Sequence, residues 1–201
     1  MLATFDHRFV LLSNPKTGTT ALEAALQRHC EVHVGKTPQW KHLTYFGVKD
    51  RFGDLFDRAG CDYVTVIRDP IDTLHSWYRY RQRDALKNPR GRKHSLYTGA
   101  ISFEQFVDEW AAGSTPRARA GTSAKFCISP DGKVAPAMHW RYDRLDRLVA
   151  WLEGRIGAEI SLPRKNVSPS TRAPFDRDAM MALPAIQAVY DAYARIPAID
   201  G

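Results

Sequence analysis

The chain has 201 residues, 44% of them hydrophobic and 25% charged, ordinary values for a soluble globular protein and too few residues for two domains to be expected. Its 29 basic residues against 22 acidic ones leave a net charge of +7, which favours anionic partners without choosing among nucleotide, polyanionic sugar and nucleic acid. No apolar stretch approaches the roughly 20 residues that span a bilayer. Asp6, His7 and Arg8 interrupt any secretory leader, and the scattered Cys30, Cys61 and Cys127 outline neither a disulfide framework nor a metal site. The expectation is one soluble, cytoplasmic domain over residues 1–201, with buried thiols.

In chain order, the apolar run Phe9–Leu12 predicts a buried strand. The polar turn Ser13-Asn14-Pro15-Lys16-Thr17-Gly18-Thr19-Thr20 follows it, and then Leu22, Ala25 and Leu26 recur at helical spacing. Strand, small-residue loop with one lysine, helix: this is how a chain offers backbone N–H groups and a helix N-terminus to a phosphate or sulfate. The loop is not the G-x-x-x-x-G-K-[ST] pattern of nucleotide triphosphatases. No glycine precedes the turn, and Lys16 comes before Gly18 rather than directly after it.

Lys36–Lys49 reads as a loop passing into a short helix, and Asp50–Arg58 as a helix stopped by Gly60. Cys61–Ile67 predicts the second strand. It runs into Arg68-Asp69-Pro70, where Asp69 suits an N-cap and Pro70 the first helical position. The helix continues through Ile71, Leu74, Trp77, Tyr78 and Arg81 into the basic stretch Arg79–His94. That stretch reads as a solvated helix end and loop, or else as a seat for an anionic acceptor. Ser102–Trp110 predicts a serine-capped amphipathic helix, residues 113–125 a mobile segment, and Phe126–Pro136 a small hairpin turning at Pro130-Asp131-Gly132. His139–Tyr142 predicts a strand, Leu145–Ile156 a helix, Leu162–Arg172 a loop and Leu183–Arg195 the last helix. Strands alternating with helices predict an α/β protein with a central, mostly parallel sheet flanked by helices.

Gly18 lets the backbone approach an anion closely. Threonine hydroxyls and the first free N–H groups of the helix can then ring its oxygens, with Lys16 at the atom that accumulates negative charge when a group is transferred away. Arg68 leaves the end of the second strand, where open α/β sheets bind ligands. Ser76, two turns into the next helix, can share a phosphate with it. Trp40, Trp140 and Tyr142 are either core residues or stacking partners for a ring.

These residues carry a resemblance. Pro15-Lys16-Thr17-Gly18-Thr19-Thr20 resembles the 5′-phosphosulfate loop of sulfotransferases that use 3′-phosphoadenosine-5′-phosphosulfate (PAPS). Arg68-Asp69-Pro70, with Ser76 in the helix after it, resembles their 3′-phosphate motif. Lys41-His42-Leu43-Thr44, the Ser102–Trp110 helix, Arg141-Tyr142-Asp143-Arg144-Leu145 and Leu162-Pro163…Asn166-Val167-Ser168 are similar to segments of the carbohydrate-sulfotransferase branch. The chain departs from the family pattern at Asp69, usually asparagine, and at Tyr45, where alanine is common.

The resemblance implies a P-loop-nucleotide-binding-like fold and transfer of a sulfuryl group from PAPS to an acceptor hydroxyl on a carbohydrate, releasing 3′-phosphoadenosine-5′-phosphate (PAP). It assigns the nucleotide to Lys16, Thr17, Gly18, Thr19, Thr20, Arg68 and Ser76, with Arg164 and Lys165 closing over it. Lys16 would polarise the leaving phosphate, and His42 would be the base. His75 and Glu23 are other candidates for the base, although Glu23 also reads as a carboxylate in the first turn of its helix. Because a sulfuryl group carries less charge than a phosphoryl group, no metal is expected, nor is a nucleic-acid or membrane partner. The alternatives are a nucleotide-dependent kinase with a degenerate P-loop and a non-catalytic polyanion- or nucleic-acid-binding module.

Overall fold

A computed structural model describes residues 1–163 and 175–199 of the chain. In chain order the strands are β1 (Leu2–Thr4), β2 (Phe9–Leu12), β3 (Val32–His33), β4 (Asp62–Ile67), β5 (Met138–Arg141) and β6 (Ala198–Ile199). The helices are α1 (Thr19–Leu26), α2 (Pro38–Lys41), α3 (Tyr45–Phe52), α4 (Leu55–Arg58), α5 (Pro70–Tyr80), α6 (Asp84–Lys87), α7 (Phe103–Ala112), α8 (Ser123–Cys127), α9 (Leu145–Ile156), α10 (Arg177–Met181) and α11 (Pro184–Ala194).

The protein is α/β, with a six-stranded mixed sheet in the order β3-β1-β2-β4-β5-β6. β2, β4, β5 and β6 run parallel, while β1 pairs antiparallel with both β2 and β3. The chain divides into two compact units, one of Met1–Arg68, Ser123–Asn166 and Arg195–Gly201, the other of Asp69–Thr122 and Val167–Ala194.

The first unit contains the sheet. On one face Leu2, Phe9, Leu11, Val64, Val66 and Trp140 pack with Leu22 and Leu26 of α1 and Leu148 and Leu152 of α9. Alternate residues point to the opposite face, where Tyr63 meets the ring of Tyr45 from α3 at 4.8 Å and donates its hydroxyl to Asp57 of α4. Both faces of β2 are covered, since all four of its residues are buried. An unbroken apolar run is what a doubly covered strand requires.

The second unit has a helical core. Ile71, Leu74 and Tyr78 of α5 pack on Phe103, Phe106 and Val107 of α7, joined by Ala118, Met180 of α10 and Ile186 of α11. The expected N-caps form: Asp69 accepts from the Asp72 N–H at 2.9 Å and Ser102 from that of Gln105 at 3.2 Å. Asp69 does more than cap. It also pairs with Arg177 at 2.8 Å and accepts from the Tyr190 hydroxyl at 2.6 Å, tying α10 and α11 to the start of α5. An asparagine could cap the helix but could not pair with Arg177, which is a physical reason for aspartate at this position.

Several elements differ from expectation. The helix foreseen at Asp50–Arg58 is two, α3 and α4, because Gly53 takes a positive φ of 56° and closes the first of them. Phe126–Pro136 forms only a minimal hairpin, turning where the Gly132 N–H donates to the Ser129 carbonyl and closed by bonds from the Ser129 N–H to the Lys133 carbonyl and from the Ala135 N–H to the Cys127 carbonyl. Its first residues belong to α8, and only a single bridge, Ile128 to Val134, spans the turn. Residues 113–125 are held in place by their carbonyls: Arg81 donates to Arg117 and Arg119, Trp77 to Gly121 and Trp110 to Ala120. Arg117 also pairs with Glu109 and holds that carboxyl down at about 2. Of the cysteines, Cys61 and Cys127 are buried and Cys30 is half-buried, with burial pushing the thiols of Cys30 and Cys127 up to about 12. Among the described residues no helix is long and apolar enough to cross a membrane.

His139, wholly buried in β5, has a consequence for stability. Burial holds its imidazole below the ordinary value. As pH falls, the unfolded chain therefore takes up this proton before the folded one, and stability declines below about pH 6.5. Urea midpoints are expected to drop between about pH 7.5 and about pH 5.5, and His139→Leu to show a shallower drop. An identical pH slope in the variant would remove His139 as the cause.

Candidate functional site

Parallel neighbours β2 and β4 end side by side, with Leu12 in register with Thr65. The loop 13–18 leaves β2 and Arg68 leaves β4, so both predicted anion motifs in the first unit start from the carboxyl ends of the two central strands. At such carboxyl ends backbone N–H groups and helix N-termini converge, and ligands of open α/β sheets bind there.

The loop is built around Asn14, which the sequence reading passed over. This side chain is 2% exposed and donates to the Val66 carbonyl at 2.8 Å and to Ser123 Oγ at 3.2 Å. The Asn14 carbonyl accepts the Thr17 hydroxyl at 2.8 Å and the Thr19 hydroxyl at 3.4 Å. Both hydroxyl hydrogens are thus committed inside the loop. The Ala21 N–H donates to the Gly18 carbonyl at 2.9 Å, so donors towards an anion are left to the earlier N–H groups of the loop and helix start and to the side chains of Lys16 and Thr20. No side chain caps α1, and its first turn carries no acid.

Two residues of the loop take left-handed backbone, Gly18 at φ 75° and Lys16 at φ 69°. For Gly18 the reason is local. It begins α1 at a φ that side chains rarely adopt, whereas a Cβ there would make only ordinary contact with Tyr142 and Leu145. Lys16 has no such freedom, and the conformation costs a non-glycine residue roughly 1–2 kcal/mol. Strain of this kind persists where surrounding contacts over-determine it, and it concentrates at functional positions.

Arg68 supplies one of those contacts. Its Nη1 donates to the Lys16 carbonyl at 2.9 Å, and its guanidinium lies 4.3 Å from the centre of the Tyr142 ring. Its own N–H is held by Ser123 Oγ at 2.9 Å. Ser123 therefore braces both motifs, through Asn14 and through the Arg68 backbone. Nothing in the sequence near residue 123 announces this; the signal is purely spatial.

His42 reaches the same loop. It follows α2, is half-buried, and its Nδ1 lies 2.7 Å from the Ser13 carbonyl. A carbonyl can only accept, so Nδ1 carries the proton of the neutral ring and Nε2 keeps a lone pair. Burial lowers its pKa, with the Lys41 charge acting in the same sense and the Ser13 bond and Glu23 opposing. A neutral imidazole with Nε2 as acceptor is the form a general base needs.

Glu23 is placed differently from expectation. It lies in the second turn of α1, is 8% exposed, and accepts from Ser13 Oγ at 2.6 Å while pairing with Lys41 at 2.8 Å. A carboxylate so fully engaged is not a free base. His75 sits among Phe103 at 4.9 Å, Phe175 at 5.0 Å and Tyr78, in the aromatic core of the second unit. Ser76 is half-buried on α5.

The aromatic candidates separate: Trp140 is core, Tyr142 lies under Arg68, and Trp40 is 45% exposed with Arg51 over its ring. In the basic stretch Arg81 is buried and structural, while Lys87, Arg90, Arg92 and Lys93 are exposed. Arg164, Lys165 and the Asn166-Val167-Ser168 segment lie outside the described residues. Among the described residues no group of three or more His, Cys, Asp or Glu is placed to hold a metal ion.

No family model matches the chain, and the search of curated proteins finds no match.

Proposed function

We propose that the protein is a PAPS-dependent sulfotransferase with a sulfotransferase-type P-loop fold, moving a sulfuryl group to an acceptor hydroxyl, with a carbohydrate as the acceptor class. What carries this reading is the joint between the two loops. Arg68, at the end of one parallel strand, bonds the carbonyl of Lys16, the strained residue at the end of its neighbour. Two cations at the carboxyl ends of adjacent strands, one in each motif, suit a ligand with two anionic groups, as the motif resemblance implies. A single phosphate site would need only the first.

In the proposed reaction the acceptor oxygen bonds to sulfur, the bond from sulfur to the 5′-phosphate oxygen breaks, and PAP leaves with the electron pair. Backbone N–H groups at the start of α1 and the Lys16 ammonium offset the charge that grows on the leaving oxygen. The acceptor proton passes to Nε2 of His42. Arg68 holds the 3′-phosphate as a charge-assisted hydrogen-bond donor. The role of Ser76 rests on the resemblance alone.

Calorimetry tests the donor. PAP is expected to bind at micromolar concentrations and at least about tenfold more tightly than AMP, since a hydrogen bond to a charged group contributes about 1.5–3 kcal/mol. Absence of PAP binding, or equal affinity for AMP, would sink the proposal. Tighter binding of ATP with Mg²⁺ would favour the kinase. A steep salt dependence unaffected by Arg68→Ala would favour a polyanion-binding module instead.

A further inference from the structure

We infer that Glu23 is a positioning residue for His42, acting through Ser13 and Lys41; the role rests on the reading of His42 as the base. One carboxylate holds both neighbours of that ring. Its Oε1 accepts from Ser13 Oγ at 2.6 Å, and the Ser13 carbonyl is the group that meets His42 Nδ1 at 2.7 Å. Its Oε2 pairs with the ammonium of Lys41, the residue preceding His42, at 2.8 Å. The Met1 amino group adds a third link, 3.3 Å from Glu23 Oε1 and 2.9 Å from the Lys41 carbonyl. Strand end, helix and base-bearing segment are thus clamped at one buried point, and the ring can turn only by breaking the bond to Ser13.

The clamp is also electrostatic. The charged groups around His42 are Lys41 on its own segment, Met1 at the start of β1 and Glu23 on α1. The two cations disfavour the imidazolium, and the carboxylate favours it. When His42 takes the acceptor proton, the new positive charge forms beside a carboxylate already in place. Glu23 therefore has two functions: it fixes which nitrogen is the base, and it offsets the charge that the base acquires. Removing Glu23 and removing Lys41 must move the titration of His42 in opposite directions, which an ion pair remote from the ring would not do.

Imidazole nitrogen–proton correlation spectra of the full chain, recorded across pH without donor or acceptor, test this, with His42→Gln used for assignment. The wild type is expected to show the Nδ1–H tautomer at His42. Glu23→Gln is expected to shift the His42 midpoint downward, Lys41→Met upward, and the double variant back towards the wild type. If Glu23→Gln does not fold, Glu23→Asp decides: with the carboxylate drawn back by one methylene, a downward shift supports the inference and an unmoved midpoint overturns it. An Nε2–H tautomer in the wild type also overturns it. In turnover, the acid limb of the Glu23→Gln pH profile is expected at lower pH. Because the spectra need neither PAPS nor acceptor, failure of the sulfotransferase reading, registered by PAP calorimetry, is distinguishable from failure of the role given to Glu23.

Discussion

Lys16→Ala is expected to lower the turnover of PAPS by about 10²–10³-fold, the effect of deleting one preorganised donor at a developing oxyanion, while PAP still binds. The expected size follows from how the residue is held. Its carbonyl is fixed by Arg68 and its backbone sits in the left-handed region at φ 69°, so the ammonium stem leaves a rigid turn rather than a mobile loop. Little of the interaction must be organised during the reaction, and removal of the charge appears mainly in kcat. Lys16→Gly sharpens the test. Glycine adopts the left-handed conformation without steric cost, so this variant is expected to match or exceed wild-type stability by up to about 1 kcal/mol while losing the same turnover. Single-turnover rates with labelled PAPS and urea titrations measure the two quantities. Normal turnover in either variant would remove Lys16 from the reaction, and a large loss of stability in Lys16→Gly would make its backbone strain irrelevant.

Phe106→Ala has the largest effect expected on the fold, a loss of about 3–5 kcal/mol in unfolding free energy. Phe106 is fully buried in the core of the second unit, 5.7 Å from the Tyr78 ring and 6.3 Å from that of Phe103. Truncation removes a ring from the packing between α5 and α7 and leaves a cavity that neighbouring aromatic rings, too rigid to collapse into it, leave largely open. Phe106→Leu, which retains most of the volume, should recover a large part of the loss. Equilibrium urea unfolding followed by far-UV circular dichroism gives both values. A cost below about 1 kcal/mol for Phe106→Ala would mean that α7 is not an organising helix of this unit.

Local pattern carried far in some places. The strand, loop and helix at residues 9–26 were legible because an apolar run, a glycine and an apolar repeat are adjacent in the chain, and helix α9 matched its expected limits of Leu145–Ile156. The caps at Asp69 and Ser102 were legible because a cap bonds an N–H three residues on. The short strands were not: the edge strands β3 and β6 have two residues each and the inner strand β1 has three, too few for any period to show. The ordering of 113–125 was also hidden, since Arg81, Trp77 and Trp110 hold it from elsewhere in the chain, and a polar, glycine-containing stretch looks the same free or bound.

The candidate site divides along the same line. By itself the sequence determined that Lys16 and Gly18 lie in a turn between strand and helix, that Arg68 ends a strand, and that residues 9–12 are buried. Each follows from side-chain chemistry within a few residues. Only the tertiary structure decided that Asn14 and Ser123 brace the loop, that Arg68 grips Lys16, and that Glu23 is tied to Ser13 and Lys41. Asn14 and Ser123 are 109 residues apart, and Arg68 and Lys16 are 52 apart. A hydrogen bond between such partners leaves no trace in local composition; for Lys16 and Arg68 it is the pairing of β2 with β4, not the intervening sequence, that brings the two ends within reach.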